Sequence, residues 1–547
     1  MTPLMAASQK GQCGVIKKLL SRNIEVDQCD MGNTALSLAS EMNHPKAVKL
    51  LITKGGASVV SPRGSLALYK ASGRGHLRII KILISNGADV NATPKEYDGC
   101  SSLMYACQEA HLDVLKFLLT KGADIEHQSD GGQNALTIAC GEHGTNNADV
   151  VKTLLNYGAI VNPRQNFSPL YSASGAGHMK IVSLLLEKGA NVNTCCDDGT
   201  TPLMYASQEG HIKICRHLIK NGADMTASNL HGYNALSLAS ETNHPEVVNL
   251  LISKGAKVVS SRGSLALYKA SGLGHLKIIE ILVSNGADVN AIPRNYDGCS
   301  SLMYACQEAH LDALKFLLKQ GADIEYRSDE GQNALTIACG EQGTNNVDVV
   351  KILLNYGANV NPILVNNMSP LYLASGAGHM KIVNLLLKNG ANVNVCCADG
   401  TTPLMYASQE GQMKIVSLLL EEGANVNTRC DDGSTPLMYA SQQGHTKICR
   451  LLIKYDADMS ASHLGTRGTS TAAAIAGTPE TLALLKRRSQ KCAVCGITAQ
   501  EKNKKALKRC SGCGLVCYCD QDCQRKHWKN GHKETCKKTN QSNPPTK

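Results

Sequence analysis

Eight thiol and imidazole groups at metal-ligand spacing lie within forty-five residues near the C-terminal end, from Cys492 to Cys536. They run Cys492-x2-Cys495, then Cys510-x2-Cys513-x5-Cys519-x3-Cys523-x8-His532-x3-Cys536. Zinc takes four soft ligands in a tetrahedron, and a two-residue gap lets one tight turn supply two of them. Eight ligands make two closed, four-coordinate sites. A closed site leaves no position for water or substrate, so this chemistry organises a fold and does not catalyse. It predicts a metal-stapled binding module that holds two zinc ions.

Spacing alone does not fix which ligands pair. The runs Cys492-Ala493-Val494-Cys495, Val516-Cys517-Tyr518-Cys519, Cys523-Gln524-Arg525-Lys526-His527-Trp528 and His532-Lys533-Glu534-Thr535-Cys536 resemble the MYND-type zinc finger. The resemblance implies a cross-brace, with one zinc on Cys492, Cys495, Cys519 and Cys523 and the other on Cys510, Cys513, His532 and Cys536. Two features depart from the family pattern. The stretch between Cys495 and Cys510 is long and rich in Lys502, Lys504, Lys505, Lys508 and Arg509, and the step from Cys523 to His532 is one residue longer than usual. Both fall between ligand pairs, where a loop can absorb them. Cys517 is left over and reads as an apolar filler of a hairpin. His527 could replace His532, but the x3 spacing from His532 to Cys536 fits one helical turn.

The elements that carry this module follow from composition. The chain has 547 residues, one Trp and three Phe, but 49 Gly and 43% apolar residues. That suits many small repeated cores better than one large core. No basic start followed by an apolar stretch marks a leader, and no apolar run reaches the length of a membrane span. Of 23 cysteines, fifteen lie outside the finger. They read as reduced thiols packed as small hydrophobes in a reducing, intracellular compartment, cytoplasmic or nuclear. Cys107 and Cys306, and Cys140 and Cys339, recur at fixed positions, as packing residues would.

Up to about residue 488 the chain repeats itself. Thr201-Pro202-Leu203-Met204-Tyr205-Ala206-Ser207-Gln208-Glu209-Gly210-His211 recurs about every 33 residues, each time followed by an apolar helix and a Gly-Ala-Asx-Val-Asn-like turn. Thr201 is a suitable N-cap and Pro202 fits the first helical position. Gly210 can take the left-handed conformation that ends the helix. From His211 to Lys220 a second helix spaces Ile212, Ile214, Cys215, Leu218 and Ile219 along one apolar face. This pattern resembles the ankyrin repeat. About fourteen units begin near 2, 33, 65, 100, 134, 168, 201, 234, 264, 299, 333, 369, 402 and 435. No unit can bury its apolar face alone, so stacked neighbours must do so jointly. The expected fold class is all-α: an ankyrin-repeat solenoid plus a small two-zinc finger.

Several departures from the ankyrin pattern stand out. A helix-opening position commonly filled by His holds Met204, Met405 and Met438, or Tyr69, Tyr171, Tyr268 and Tyr372. This predicts fewer side-chain hydrogen bonds and more apolar adhesion. Enlarged loops are expected at Pro94–Tyr97, Gly144–Asn147 and Asn361–Asn367. A larger period is superposed: Ser65–Tyr69 returns at Ser264–Tyr268, Asn134–Cys140 at Asn333–Cys339, and Thr201 at Thr402, offsets of 199 to 201 residues. A block of six repeats is duplicated. With helices stacked about 10 Å apart, the copies would present equivalent docking surfaces on the order of 60 Å apart, able to bind one partner type with avidity; a simple lengthening of the array is the alternative.

The expected boundaries are repeats over 1–469, a degenerate capping repeat over 470–490, the finger over 491–536 and a disordered tail over 537–547. The capping repeat should have an Ala-rich first helix and a second helix capped by Thr478-Pro479-Glu480 that closes on Lys486-Arg487-Arg488, which suits the helix dipole. Met1-Thr2-Pro3-Leu4 starts directly inside a repeat. Either that apolar edge is an interface or the sequence lacks its true start.

Net charge is +11 for the whole chain, but Lys486 to Lys547 carries 16 Lys and Arg against 4 Asp and Glu, or +12, leaving the repeats near −1. Seven thiolates and two zinc ions would lower the tail to about +9. No recognition helix of the three-base type is present, and only Trp528 and Tyr518 could stack on bases, which argues against nucleic acid as the main ligand.

In the finger, Asp520 can N-cap a short helix through Lys529, with Gly531 just past its end. Gln524 and Trp528 are then neighbours on one face, beside a hairpin around Val516 and Tyr518. The MYND resemblance implies that this groove takes extended Pro-x-Leu-x-Pro segments, whose preformed backbone suits a flat aromatic face. Some MYND fingers sit within SET-type lysine methyltransferases, but here repeats fill the chain up to the finger. The recurring histidines (His76, His111, His178, His211, His275, His310, His379, His445) occupy one repeat position, as structural residues do, and no catalytic residue is assigned. The sequence therefore predicts a non-catalytic adaptor, the solenoid holding a protein along its concave face and turn tips and the finger a proline-rich segment. The alternative is a chromatin-associated, corepressor-recruiting scaffold with auxiliary nucleic-acid contact.

Overall fold

The computed structural model describes residues 1–488 apart from 23, 31, 95–96, 142–145, 164–167, 260, 295, 341–344, 363–367 and 466–467, together with two short strands, Lys508–Arg509 and Cys517–Tyr518. The chain divides into two compact units, Met1–Pro293 and Arg294–Lys547.

Both units are built from helix pairs. From Pro3–Gln9 and Cys13–Leu20 to Pro436–Gln442 and Thr446–Lys454, twenty-eight described helices form fourteen pairs. Within each unit the first helix of a pair packs on the first helices of its neighbours, and second helices pack on second helices, giving two rows. The unit opened by Thr201 shows why. The Thr201 hydroxyl accepts a hydrogen bond from the Met204 amide at 3.3 Å, and Pro202 starts the helix Pro202–Gln208. At Gly210, φ is +73°, a left-handed turn that a side chain would strain. The second helix is Ile212–Lys220, one residue shorter at its start than the pattern predicts, because His211 is its N-cap. Ile214, Cys215 and Leu218 are buried in it, while Ile212 and Ile219 sit at the margin. Burying each such Leu or Ile contributes about 1.5–3 kcal/mol, and the neighbouring pairs supply the surface that covers it.

Three features differ from the sequence reading. The third and ninth first helices begin a turn early, as Pro62–Gly73 and Ser261–Gly272. In the third, Ser61 is the effective cap, its hydroxyl accepting from the Gly64 amide at 3.1 Å, with Pro62 at the first helical position. In the last unit the Ala-rich first helix does not form. An antiparallel hairpin, Ser462–Gly465 with Gly468–Thr471, takes its place and leads into a turn. Thr469, Ser470 and Thr471 suit a strand, and the five residues Ala472–Ala476 before Gly477 and Pro479 are too few to nucleate a helix. The second helix, Pro479–Arg488, does form, and the Thr478 hydroxyl accepts from the Thr481 amide at 3.2 Å. The enlarged loops fall largely outside the described residues.

All fifteen cysteines in the described repeats are free thiols, with Cys107, Cys140, Cys306 and Cys339 buried as the repeat pattern requires. Among the described residues, no helix is long and apolar enough to cross a membrane.

Candidate interaction surface and metal module

Of the finger, the structure describes one element: strand Lys508–Arg509 pairs antiparallel with Cys517–Tyr518, Lys508 opposite Tyr518 and Arg509 opposite Cys517. Cys517 thus lies in a hairpin strand, as its spacing suggested. The strands immediately precede Cys510 and Cys519 in sequence. Seven thiols and one imidazole at these intervals form a donor set that fits zinc and suits neither hard cations nor an open catalytic metal. Cys492, Cys495, Cys510, Cys513, Cys519, Cys523, His532 and Cys536 all lie outside the described residues, as do Val516, Gln524 and Trp528 and the helix expected from Asp520. Among the described residues, no group of three or more His, Cys, Asp or Glu is placed to hold a metal.

The repeats build their surface from tyrosines on the first-helix row. Tyr372 stacks on Tyr406 of the next repeat with ring centroids 4.8 Å apart. Tyr171 and Tyr205 repeat this at 4.8 Å, and Tyr69 and Tyr105 at 4.7 Å. Each stack is permitted by a glycine that ends the preceding first helix: a Cβ on Gly376, Gly175 or Gly73 would run into the ring of Tyr406, Tyr205 or Tyr105. Tyr69, Tyr171 and Tyr372 occupy positions singled out for apolar adhesion and adhere as expected; their partners Tyr105, Tyr205 and Tyr406 were not anticipated. Burial first, then the neighbouring Cys196 thiol, pushes the Tyr171 phenol up from its usual range. The Cys397 thiol, beside Tyr372, is pushed up to about 12 by burial and the Asp399 charge.

Side-chain hydrogen bonds between repeats are nevertheless plentiful, because they have moved to other positions. The ring nitrogen of His211 donates to the Gly175 carbonyl at 2.9 Å, that of His445 to the Gln409 carbonyl at 2.9 Å, and that of His178 to the Cys140 carbonyl at 3.1 Å. A carbonyl only accepts, so the ring nitrogen must carry the proton. In one repeat Gln412 replaces the histidine and its amide donates to the Gly376 carbonyl at 3.4 Å. The recurring histidines are thus inter-repeat staples. Sequence reasoning assigned them a structural role without finding their partner.

A second ladder was missed. The last Asn of the Gly-Ala-Asx-Val-Asn turn bridges to the following repeat. Asn427 donates to the Asp456 carbonyl at 3.1 Å and accepts from the Asp458 amide at 2.7 Å; Asn394 does the same with the Gly423 carbonyl and the Asn425 amide. Where this position is Glu126 or Glu325, a carboxylate oxygen accepts from the Ile160 or Asn359 amide at 2.8 or 2.7 Å. The recurrence of Asn or Glu there was the available signal.

Charged groups are embedded in the same row. Lys70 donates to Asn33 at 2.6 Å and to Glu41 at 2.7 Å. Burial works against the Glu41 charge, but the Lys70 hydrogen bond and charge outweigh it and hold the carboxyl below its usual range. In the duplicated block, Lys269 is 2.9 Å from Glu241 and lies over the Tyr233 ring at 5.0 Å. Burial opposes its charge, yet the hydrogen bonds to Tyr233 and Glu241 raise its pKa. Adjacent turn tips are joined by backbone bonds, Asp130 amide to Asp98 carbonyl at 2.9 Å and Asp431 amide to Asp399 carbonyl at 2.9 Å. Each tip is braced internally; the Cys430 thiol and the Ser434 amide both donate to Asp432, at 2.9 and 2.8 Å.

The comparisons find the same repeats in the sequence. The family model described as ankyrin repeats (3 copies) matches residues 1–63, 56–129, 103–196, 190–262, 259–328, 302–397 and 389–463, and the MYND finger model matches 492–536. The chain belongs to the ankyrin-repeat family and carries a C-terminal MYND-type zinc finger. It is 34% identical over 209 residues to "Ankyrin repeat and KH domain-containing protein mask-1" of Caenorhabditis elegans, covering 36% of this chain and 8% of that protein. It is 35% identical over 85 residues to "B-cell lymphoma 3 protein homolog" of Mus musculus, covering 16% of this chain and 18% of that protein. Among solved structures, the human ASB11 ankyrin repeat domain matches with 28% identity and a TM-score of 0.36, over 40% of this chain and 96% of that one. The chain thus spans less than a fifth of the length of these curated relatives.

Proposed function

We propose that this chain is a non-catalytic adaptor with two kinds of protein-binding surface. The repeats, residues 1–469 closed by the unit at 470–490, hold a protein along the first-helix row and its turn tips. The finger, residues 491–536, holds a second polypeptide. The observation that carries this reading is the first-helix row within each unit: Tyr205 in the first unit and Tyr406 and Tyr439 in the second are half-exposed, exposed Glu209 and Glu410 end two of these helices, and the turn tips before them are braced by backbone bonds. A rigid row of amphipathic aromatic and charged side chains suits protein recognition at low entropic cost.

In the finger, Cys492, Cys495, Cys519 and Cys523 hold one zinc, and Cys510, Cys513, His532 and Cys536 the other. Bound zinc supplies rigidity; the binding chemistry belongs to Val516, Tyr518, Gln524 and Trp528, which receive an extended, proline-containing segment. The match to the MYND finger family supports this assignment. The protein works inside the cell, in the cytoplasm or nucleus, where its thiols stay reduced. Calorimetric titration of the full chain with a Pro-x-Leu-x-Pro peptide tests the finger. Trp528→Ala should abolish binding while zinc content stays at that of the parent; unchanged affinity would refute the groove.

A further inference from the structure

Charge is sorted between the two helix rows near the end of the repeats. On the last two first helices and their turn tips, Asp399, Glu410, Asp431 and Asp432 are exposed. The sole basic residue on those stretches, Arg429, lies 3.9 Å from Asp458. The second helices behind them, Met413–Glu421 and Thr446–Lys454, carry Lys414, Lys447, Arg450 and Lys454 outward, against exposed Glu421 and its neighbour Glu422. The tips are fixed relative to each other by the Asp431 amide bonded to the Asp399 carbonyl at 2.9 Å; the half-exposed Tyr439 hydroxyl lies 3.6 Å from the Cys430 thiol of one tip, and half-exposed Tyr406 is on the neighbouring first helix. This is a stiff, negatively charged, partly aromatic helix face that no other described element covers.

The complementary segment is in the same unit. Between the ligand pairs Cys492–Cys495 and Cys510–Cys513 lies a stretch with Lys502, Lys504, Lys505, Lys508 and Arg509 against a single acid, Glu501. The finger's metal chemistry does not use it. We propose that this lysine-rich insert docks within the same chain on the acidic first-helix face of the last two repeats.

Reach permits it. The helix Pro479–Arg488 packs on Thr446–Lys454, the second helix of the last repeat, and the Thr481 and Thr446 hydroxyls are 2.7 Å apart. The chain therefore leaves the repeats from the unit that carries Asp431 and Asp432. With the Cys492–Cys495 turn kept closed, four residue steps from Arg488 to Cys492 and six from Cys495 to Glu501 still span about 33 Å when extended, against about 10 Å per repeat. Exposed ion pairs are individually weak and screened by salt. Here several act together, and a short tether gives an effective concentration in the millimolar range.

Zero-length carbodiimide cross-linking of the zinc-loaded full chain, read by peptide mapping, tests this. Lys502, Lys504, Lys505 or Lys508 should link to Glu410, Asp431 or Asp432 within the monomer. The yield should be unchanged on tenfold dilution and should fall at least threefold between 0.05 and 0.5 M salt. In a second measurement, E410Q/D431N should speed tryptic cleavage after Lys504 and Lys505 at least threefold at low salt. Links found only in cross-linked dimers would assign the face to a second copy and overturn the proposal. So would lysines that link only elsewhere, or equal cleavage rates in parent and variant.

Discussion

Gly376→Ala should destabilise the repeats, although glycine to alanine in a helix ordinarily stabilises by about 1 kcal/mol. Gly376 is the buried last residue of the helix Pro370–Gly376, and its backbone needs no left-handed conformation. A Cβ there lands on the Cε1, Cδ1 and Cζ atoms of Tyr406. The ring must swing out of its stack on Tyr372, now at 4.8 Å and 26°, which forfeits about 0.5–1.5 kcal/mol. Displacing its packed neighbours adds about 1–3 kcal/mol of overpacking strain. After subtracting the propensity gain, a net loss of about 1–3 kcal/mol is expected. Repeat arrays open locally, so amide hydrogen exchange in Pro370–Gly376 and Pro403–Gln409 should be followed alongside urea denaturation. The decisive comparison is a double-mutant cycle with Tyr406→Ala. With the ring gone, Gly376→Ala should become neutral or stabilising. An equal effect in both backgrounds, or a stabilising Gly376→Ala in the parent, would refute the clearance argument.

Other outcomes follow from the staples, the buried charges and the thiols. His211→Gln should keep most of the inter-repeat bond to the Gly175 carbonyl, as Gln412 does naturally to Gly376. His211→Ala should cost about 1–2 kcal/mol by leaving that carbonyl unpaired, and hydrogen exchange in Pro169–Gly175 reads the difference. Glu41 has a lowered carboxyl pKa, so its contribution is present above the unfolded value and is lost as pH falls through the folded one. Glu41→Gln should therefore flatten the loss of stability between about pH 5 and pH 3, seen by thermal unfolding across that range; an unchanged acid limb would contradict it. Burial pushes the Cys107, Cys140, Cys306 and Cys339 thiols up. Native protein treated with a thiol reagent should thus be modified at exposed Cys29, Cys195 and Cys396 long before those four, by mass mapping.

Much of the repeat architecture is legible in the sequence because its determinants are local. Thr201, Pro202 and Gly210 specify cap, start and stop within ten residues, and a duplicated block repeats them. What escapes is set by register between repeats. Asn427 acts on Asp456 and Asp458, about thirty residues on, and no local pattern announces that its amide faces them. The histidine staple has the same character: His211 reaches a carbonyl 36 positions back. Gly73, Gly175 and Gly376 resemble helix-ending glycines, yet their small size serves a ring of the following repeat. The third first helix and the hairpin at Ser462–Thr471 depart from the repeat spacing because Ser61 and Pro62 cap and start a helix a turn earlier and the Gly-Thr-Ser-Thr run favours a strand. In the finger, the ligand intervals speak for zinc, while the order of pairing rests on family resemblance.

A finger held by two metal ions follows a self-bracing repeat array in this chain's proposed architecture. Zinc per chain, measured by mass spectrometry on the purified full-length protein and on Cys495→Ser and Cys510→Ser separately, addresses this most directly. Two equivalents are expected in the parent and one in each variant. A single equivalent in the parent, or both ions retained in either variant, would contradict that architecture.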